Sequence, residues 1–218
     1  MQPAQGKSRS RRICKRYGRI HEIKKEGEEL KKLQDKIRQE GLILSDKVLK
    51  VDSFLNHQVD TELVLAIGEE FAAAFAGDGI TKVLTIEASG IQFAMATAIA
   101  LKVPFIYAKK KKALTQGALV YAADVYSFTK EEAYRVTVDQ SFLQPEDTVL
   151  IVDDFLATGV ALIGLVDIVA QSGASLAGVG CVIEKSFQEG RSLLEQRSIR
   201  IVSLARIASM SPGRISFA

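Results

Sequence analysis

Val149 to Ala161 reads V-L-I-V-D-D-F-L-A-T-G-V-A, and this stretch decides the fold. A short, fully apolar run, Thr148–Val152, is the pattern of a strand buried on both faces of a parallel sheet. Two adjacent carboxylates, Asp153 and Asp154, leave its carboxyl end. A loop of small residues follows, and then a helix expected over Val160–Gln171 and stopped by Gly173. Small residues at Ala157 and Gly159 let backbone N–H groups approach an anion, and Thr158 adds a hydroxyl donor. The helix beginning near Val160 aims the positive end of its dipole at the same place. The acids are acceptors suited to vicinal sugar hydroxyls or to a magnesium shell. Together these features describe a site for a sugar phosphate. An isolated Asp-Asp would more often be a pair of surface acids in a capping turn.

The same rhythm extends on both sides. Thr81–Ile86 predicts a strand, Ile91–Leu101 a helix and Val103–Ala108 a second strand. Ala118–Ser127 and Tyr134–Val138 predict strands flanking 128–132 in a hairpin-like arrangement, and Leu176–Ile183 and Ile199–Leu204 complete the strand set. Upstream, Leu63, Leu65, Ala66, Phe71 and Phe75 give one apolar side to a helix from Thr61. Asp60 is placed to cap that helix and Gly77-Asp78-Gly79 to end it. Leu30, Leu33 and Ile37 predict a further helix over 28–40, stopped at Gly41. Residues 42–56 have no long period and suit extended chain or a loop-rich cap. Alternating strands and helices indicate an α/β fold with a mainly parallel sheet covered on both faces. Ligands of such sheets bind beyond the carboxyl ends of the strands.

Two further loops sit at that edge. Glu87-Ala88-Ser89-Gly90 joins a strand to a helix start; alone it would be an ordinary βα turn. Lys109-Lys110-Lys111-Lys112 follows the strand ending at Ala108 and leads into Thr115-Gln116-Gly117. It is either a solvated charge run or a mobile loop that closes over diphosphate.

Four apolar residues, two acids, three variable residues, Thr and Gly form a pattern that resembles the phosphoribosyl-diphosphate (PRPP) motif of type I phosphoribosyltransferases. The resemblance implies the fold of that family, a central mainly parallel sheet with a small hood over the base site. It implies that Asp153 and Asp154 hold the ribose hydroxyls and that Ala157, Thr158, Gly159, Val160 and Ala161 wrap the 5-phosphate. Glu87, Ala88, Ser89 and Gly90 become the diphosphate loop, and Lys109 and Lys110 the start of the closing loop. The family commonly has Arg where Lys109 stands, and Lys lacks the bidentate fork of a guanidinium. Ala157 occupies the position where hypoxanthine-guanine members carry a third acid, which disfavours that branch.

Over residues 30–218 the chain is similar to bacterial xanthine phosphoribosyltransferases. The similarity runs through G-L-I-L-S-D-K-V-L-K-V-D-S-F-L-N-H-Q-V-D from Gly41, V-Y-S-F-T-K from Val125, V-I-E-K-S-F-Q from Val182 and S-L-A-R-I from Ser203. It implies a hood built mainly from 41–57 and the carboxy-terminal region, with Leu49 and Asn56 facing the purine and Lys185 reaching it from the other side. An ammonium only donates hydrogen bonds, so Lys185 favours a 6-oxo acceptor over the 6-amino group of adenine. Without the resemblance, a salt bridge to Glu184 or a neighbour would be the better account of Lys185. The expected reaction is transfer of the 5-phosphoribosyl group from PRPP to xanthine, with magnesium carried by PRPP or diphosphate and a homodimeric assembly. A broader 6-oxopurine transferase and a non-catalytic PRPP-sensing purine regulator are the alternatives. The regulator carries a DNA-binding domain ahead of the fold, for which roughly 40 polar residues leave little room.

Composition bounds the rest. The net charge of +3 hides a head, residues 1–25, with nine basic side chains and one acid, and a body at −5. The basic head invites a nucleic-acid partner, which the resemblance makes unlikely. Residues 1–29 are expected to be disordered and outside the site. Lys25-Glu26-Gly27-Glu28 is encodable by a purine-rich, ribosome-binding-like stretch, and Leu30 by TTG. The head is thus expected to be translated leader from a start placed too far upstream, or else a true basic tail. Residues 30–218 form one domain. No apolar run reaches the roughly 20 residues of a membrane span, and the head lacks an export-signal core. Cys14 and Cys181 make no disulfide framework, which suits a reduced, cytoplasmic setting. His21 and His57 with no clustered Cys offer no zinc site, and His57 is expected to be structural.

Overall fold

The computed structural model describes residues 28–110, 119–127 and 132–218. The basic head, Lys111, Lys112 and Thr115–Gly117 lie outside the described residues. Helix α1, Glu28–Glu40, begins two residues inside the segment assigned to the head. It buries Leu33 and Ile37, and its Lys36 pairs with Asp60. Residues 42–56 resolve into two short antiparallel strands, β1 (Leu42–Ile43) and β2 (Leu49–Lys50), and one turn of π-helix over Asp52–Asn56. This cap is not loose, because Leu49, Val51, Phe54 and Leu55 are all buried.

Helix α2, Thr61–Ala74, starts where Asp60 accepts the N–H of Leu63 at 3.1 Å. That bond satisfies one of the donors a helix start leaves open. Strand β3 (Lys82–Ile86), helix α3 (Ile91–Leu101) and strand β4 (Phe105–Ala108) follow as the spacing predicts, although β4 starts two residues late, after Pro104. β5 (Val120–Ser127) and β6 (Glu132–Asp139) form an antiparallel ribbon. A bridge between Lys109 and Thr137 ties it to the end of β4.

Strand β7, Thr148–Leu156, differs from expectation. It continues through Asp153 and Asp154 instead of ending before them, and both acids are buried within the sheet. The strand persists because residues 153, 155 and 156 pair with Cys181, Ile183 and Glu184 of β8, Ser175–Lys185. Helix α4, Val160–Ser172, then packs on the sheet. A short helix α5 (Gly190–Gln196) and a terminal hairpin are additions that periodicity did not indicate. In the hairpin, β9 runs Ile201–Ser211, well beyond Leu204, and turns at Pro212-Gly213 into β10, Arg214–Phe217.

Among the described residues the main sheet has the order β10-β9-β8-β7-β3-β4, parallel except for β10. One core lies on the side of α2 and α3 and continues into the cap, joining Phe54, Phe71 and Phe93 to Ile207 and Met210. The other lies under α4 and the β5–β6 ribbon. The cap meets the sheet at the carboxyl ends of β7 and β8, where Asn56 bonds Asp154 and Lys185 bonds the Lys47 carbonyl. No helix among the described residues is long and apolar enough to cross a membrane.

Candidate active site

The carboxyl end of β7 holds Asp153 and Asp154, only 5% and 8% exposed. Each is braced by the next backbone N–H: Asp154 N donates to Asp153 Oδ1 and Phe155 N to Asp154 Oδ1, both at 3.0 Å. Burial first, and then the adjacent charge of Asp154, push the Asp153 carboxyl well above its usual range, while Lys110 opposes the shift.

Past β7 the chain turns through Ala157 and Thr158 to Gly159, whose φ of +80° is in the left-handed region that glycine tolerates. Gly159 opens α4, and the first-turn N–H groups of α4 have no intrahelical carbonyl to bond. The turn is supported from behind. Gly190 N donates to Ala157 O at 3.0 Å, and a Cβ on Gly159 would come within 2.7 Å of the Gly190 Cα. Val160 and Ala161 form the first turn of the helix. A turn of small residues and a helix start thus lie directly beyond the two acids.

Glu87, Ala88, Ser89 and Gly90 form the neighbouring turn, between β3 and α3, with a cis peptide between Glu87 and Ala88. Lys110 N donates to Glu87 Oε1 at 2.7 Å, tying this turn to the lysine segment. Lys109 exchanges backbone hydrogen bonds with Thr137, and the Lys110 ammonium lies 5.5 Å from the centre of the Tyr134 ring. Burial, and then Asp153, raise the Tyr134 phenol above its ordinary range.

On the cap side, Asn56 Nδ2 donates to Asp154 Oδ2 at 3.1 Å. Lys185 Nζ donates to the Lys47 carbonyl at 2.7 Å and lies 5.1 Å from the centre of the Phe155 ring. Burial pulls the Lys185 ammonium below its ordinary range, against the pull of Asp154. Asn56, Asp154 and Lys185 are thereby brought together. Leu49 of the cap is buried at 7% exposure, with Gly41 behind it. His57 is exposed.

Two features of the site were not expected. Glu184, fully buried, accepts Arg191 Nε and Nη2 at 2.9 and 2.6 Å, Ser186 Oγ at 2.7 Å and Arg206 Nε at 3.3 Å. Burial pushes its carboxyl up, but Arg191 with the Ser203 and Ser186 hydroxyls outweighs that and holds it down at about 2. Lys185 therefore does not pair with Glu184, whose lone pairs are already committed. The second feature is Thr85, 0% exposed on β3, whose Oγ1 is the one buried side-chain polar atom without a partner among the described residues. Leaving such a hydroxyl unpaired costs about 1–3 kcal/mol. Adjacent acids and Gly-containing turns were visible in the sequence. The Glu184 cluster was not, because its partners come from α5 and β9.

A model of the phosphoribosyl transferase domain matches residues 59–201, which include both turns and both acids. The xanthine phosphoribosyltransferase of Brevibacillus brevis is 64% identical over 188 residues, 86% of this chain and 96% of that protein. The enzyme of the same name from Moorella thermoacetica is 56% identical over 185 residues, 85% of this chain and 94% of its own. Among solved structures, an adenine phosphoribosyltransferase from Giardia lamblia superposes with a TM-score of 0.68 over 80% of this chain and 97% of its own, at 21% identity. The adenine phosphoribosyltransferase of Trypanosoma brucei gives 0.67 over 80% and 79%, at 20% identity. These two likenesses establish the fold. With the family model spanning both loops, and relatives aligned along nearly their whole length, the chain belongs to the phosphoribosyltransferase family.

Proposed function

We propose that the chain transfers the 5-phosphoribosyl group of PRPP to nitrogen 9 of xanthine, forming xanthosine 5-phosphate and diphosphate in purine salvage. The observation that supports this reading most is the contact of Asn56 with Asp154 near Lys185, at the strand end where a purine and its ribose would meet. The relatives named for this substrate, at 56–64% identity, support it.

In this reading Asp153 and Asp154 accept the ribose hydroxyls, and Ala157 to Ala161 take the 5-phosphate on backbone donors. Glu87 to Gly90, with Lys109 and Lys110, receive the diphosphate. No covalent nucleophile is required. Positive charge grows on the ribose ring beside two acids, while negative charge leaves toward the turn at Glu87–Gly90 and the lysines that follow β4. Lys185 donates to an oxo group of the base, and Asn56, which both donates and accepts, reads its neighbour. Leu49, on the cap strand before Asn56, faces the purine with its apolar side chain. The cap, residues 41–57 with the β9–β10 hairpin, is the hood that keeps water from the reacting carbon.

Magnesium would be carried by PRPP and diphosphate as their counter-ion, offsetting phosphate charge. Among the described residues no group of three His, Cys, Asp or Glu is placed to hold a metal ion by itself. The phosphate oxygens and water would therefore complete its hard oxygen shell. The enzyme acts as a cytoplasmic homodimer, for which Leu65 of α2 and Met95 and Ile99 of α3 offer exposed apolar surface.

The test is a PRPP-dependent assay across xanthine, guanine, hypoxanthine and adenine. Xanthine should be used with the highest kcat/KM and adenine not detectably. Equal use of guanine or hypoxanthine would point to a general 6-oxopurine transferase, since each offers Lys185 the same acceptor. A protein that binds PRPP and turns over none of the four would be a sensor.

A further inference from the structure

Gly90 separates two oxygen atoms that belong to different parts of the site. A Cβ built on it would lie 2.0 Å from Thr85 Oγ1 and 2.7 Å from Asp153 Oδ1. Both oxygens therefore converge on the face of residue 90 that a side chain would fill. Thr85 projects from β3, which pairs in parallel with β7, and Gly90 caps α3 directly above. The Thr85 hydroxyl is fully buried and bonded to nothing, in a protein interior where such groups are normally paired. Asp153 is short of donors: Oδ1 takes one N–H, from Asp154, whereas a charged carboxylate has about four lone-pair positions. A spare donor and an under-supplied acceptor thus face each other across a gap that only glycine leaves open.

We propose that Thr85 is a positioning residue for Asp153: its hydroxyl donates to the carboxylate when Asp153 engages the ribose, joining the Glu87–Gly90 turn to the ribose acid. The assignment rests on the reading of Asp153 as a ribose acceptor. Thr85 itself touches no substrate. Its side-chain rotation closes the gap to Asp153, and its donor steadies the charge that Asp153 carries beside the developing positive ribose. Thr85 should then influence the rate of transfer while leaving recognition of the base untouched.

The experiment compares Thr85→Val, Thr85→Ser, Asp153→Asn and the Thr85→Val/Asp153→Asn double variant with xanthine at saturating magnesium-PRPP. Valine keeps the shape and removes the donor. Thr85→Val should melt at or above the wild-type temperature, because it removes an unpaired buried hydroxyl. It should lose roughly tenfold in kcat, the worth of one hydrogen bond to a charged group, with the KM for xanthine within about twofold of wild type. Thr85→Ser should recover most of that loss. In the Asp153→Asn background, where the neutral amide oxygen accepts more weakly than a carboxylate, Thr85→Val should cost clearly less than tenfold. A Thr85→Val kcat within about twofold of wild type overturns the proposal, as does a loss that persists undiminished beside Asp153→Asn. Equal impairment of the serine and valine variants with lowered melting temperatures also overturns it. Full activity of Asp153→Asn alone overturns instead the ribose reading of Asp153, so the two failures are told apart.

Discussion

Asn56, on the cap, donates its side-chain N–H to Asp154, on the central strand, at 3.1 Å across 98 residues of sequence. In the proposed reading this bond sets the residue assigned to the purine against one assigned to the ribose, so the two halves of the nucleoside product would be read by side chains in contact. Asn56→Asp would set a second carboxylate against Asp154 and should lower kcat/KM for xanthine by about 100-fold or more. Asn56→Ala, which only removes the donor, should cost roughly tenfold. Steady-state kinetics on both variants checks the order, and an aspartate variant no worse than alanine would contradict it.

Asp153→Asn and Asp154→Asn should each cripple turnover of xanthine with PRPP, and wild-type rates in both would remove the proposed site. Stability should move the other way for Asp153. Its carboxyl is held above the ordinary range by burial and by Asp154. The stability that goes with its proton is therefore complete below the usual carboxylate range and is lost as pH rises through the raised value. Asp153→Asn should melt higher than wild type at pH 8, and the difference should close as pH falls toward 4. Thermal melts across that range measure it.

Glu184 has the opposite sign. Its folded-state value of about 2 lies below the unfolded 4.5, so its contribution is present above 4.5 and disappears as pH falls toward 2. Glu184→Gln should lose about 3 kcal/mol near neutrality, because it leaves Arg191 and Arg206 facing a neutral amide. Denaturant unfolding at pH 7 and pH 3 should show the gap between variant and wild type narrowing in acid.

Lys185→Ala should reduce kcat/KM for xanthine by about 100-fold while leaving the KM for PRPP within about twofold of wild type. Equal damage to both substrates would show that Lys185 supports the site and does not read the base.

Gly90→Ala should fold and lose most activity. The added methyl would force Thr85 Oγ1 and Asp153 Oδ1 apart, and the Ile86 carbonyl lies 3.4 Å from it. Circular dichroism with kinetics separates a local block from unfolding.

The strand-loop-helix from Val149 onward was legible because its chemistry is local: an apolar run, two acids, small residues and a helix start. The same locality explains the Asp60 cap and the parallel alternation of β3, α3 and β4. Asp153 and Asp154 read as lying beyond the strand because charge normally marks a surface. Here pairing with β8 carries the strand through them. The extension of β9 through Ala208-Ser209-Met210-Ser211 was hidden by small and polar residues, and it depends on β10 folding back as its partner. Thr85 and the Glu184 cluster were illegible for a related reason. Their meaning lies in atoms supplied by Gly90, Arg191 and Arg206, which no spacing within one element reveals.

The hydrogen bond from Lys185 to the Lys47 carbonyl ties the cap to the end of β8. An ammonium carries three donors, so in the proposed reading an incoming base would share Lys185 with the peptide oxygen already held at 2.7 Å. One cation would then hold the β1–β2 turn and the base together, and the cap would be fastened to the sheet by the same group that meets the purine.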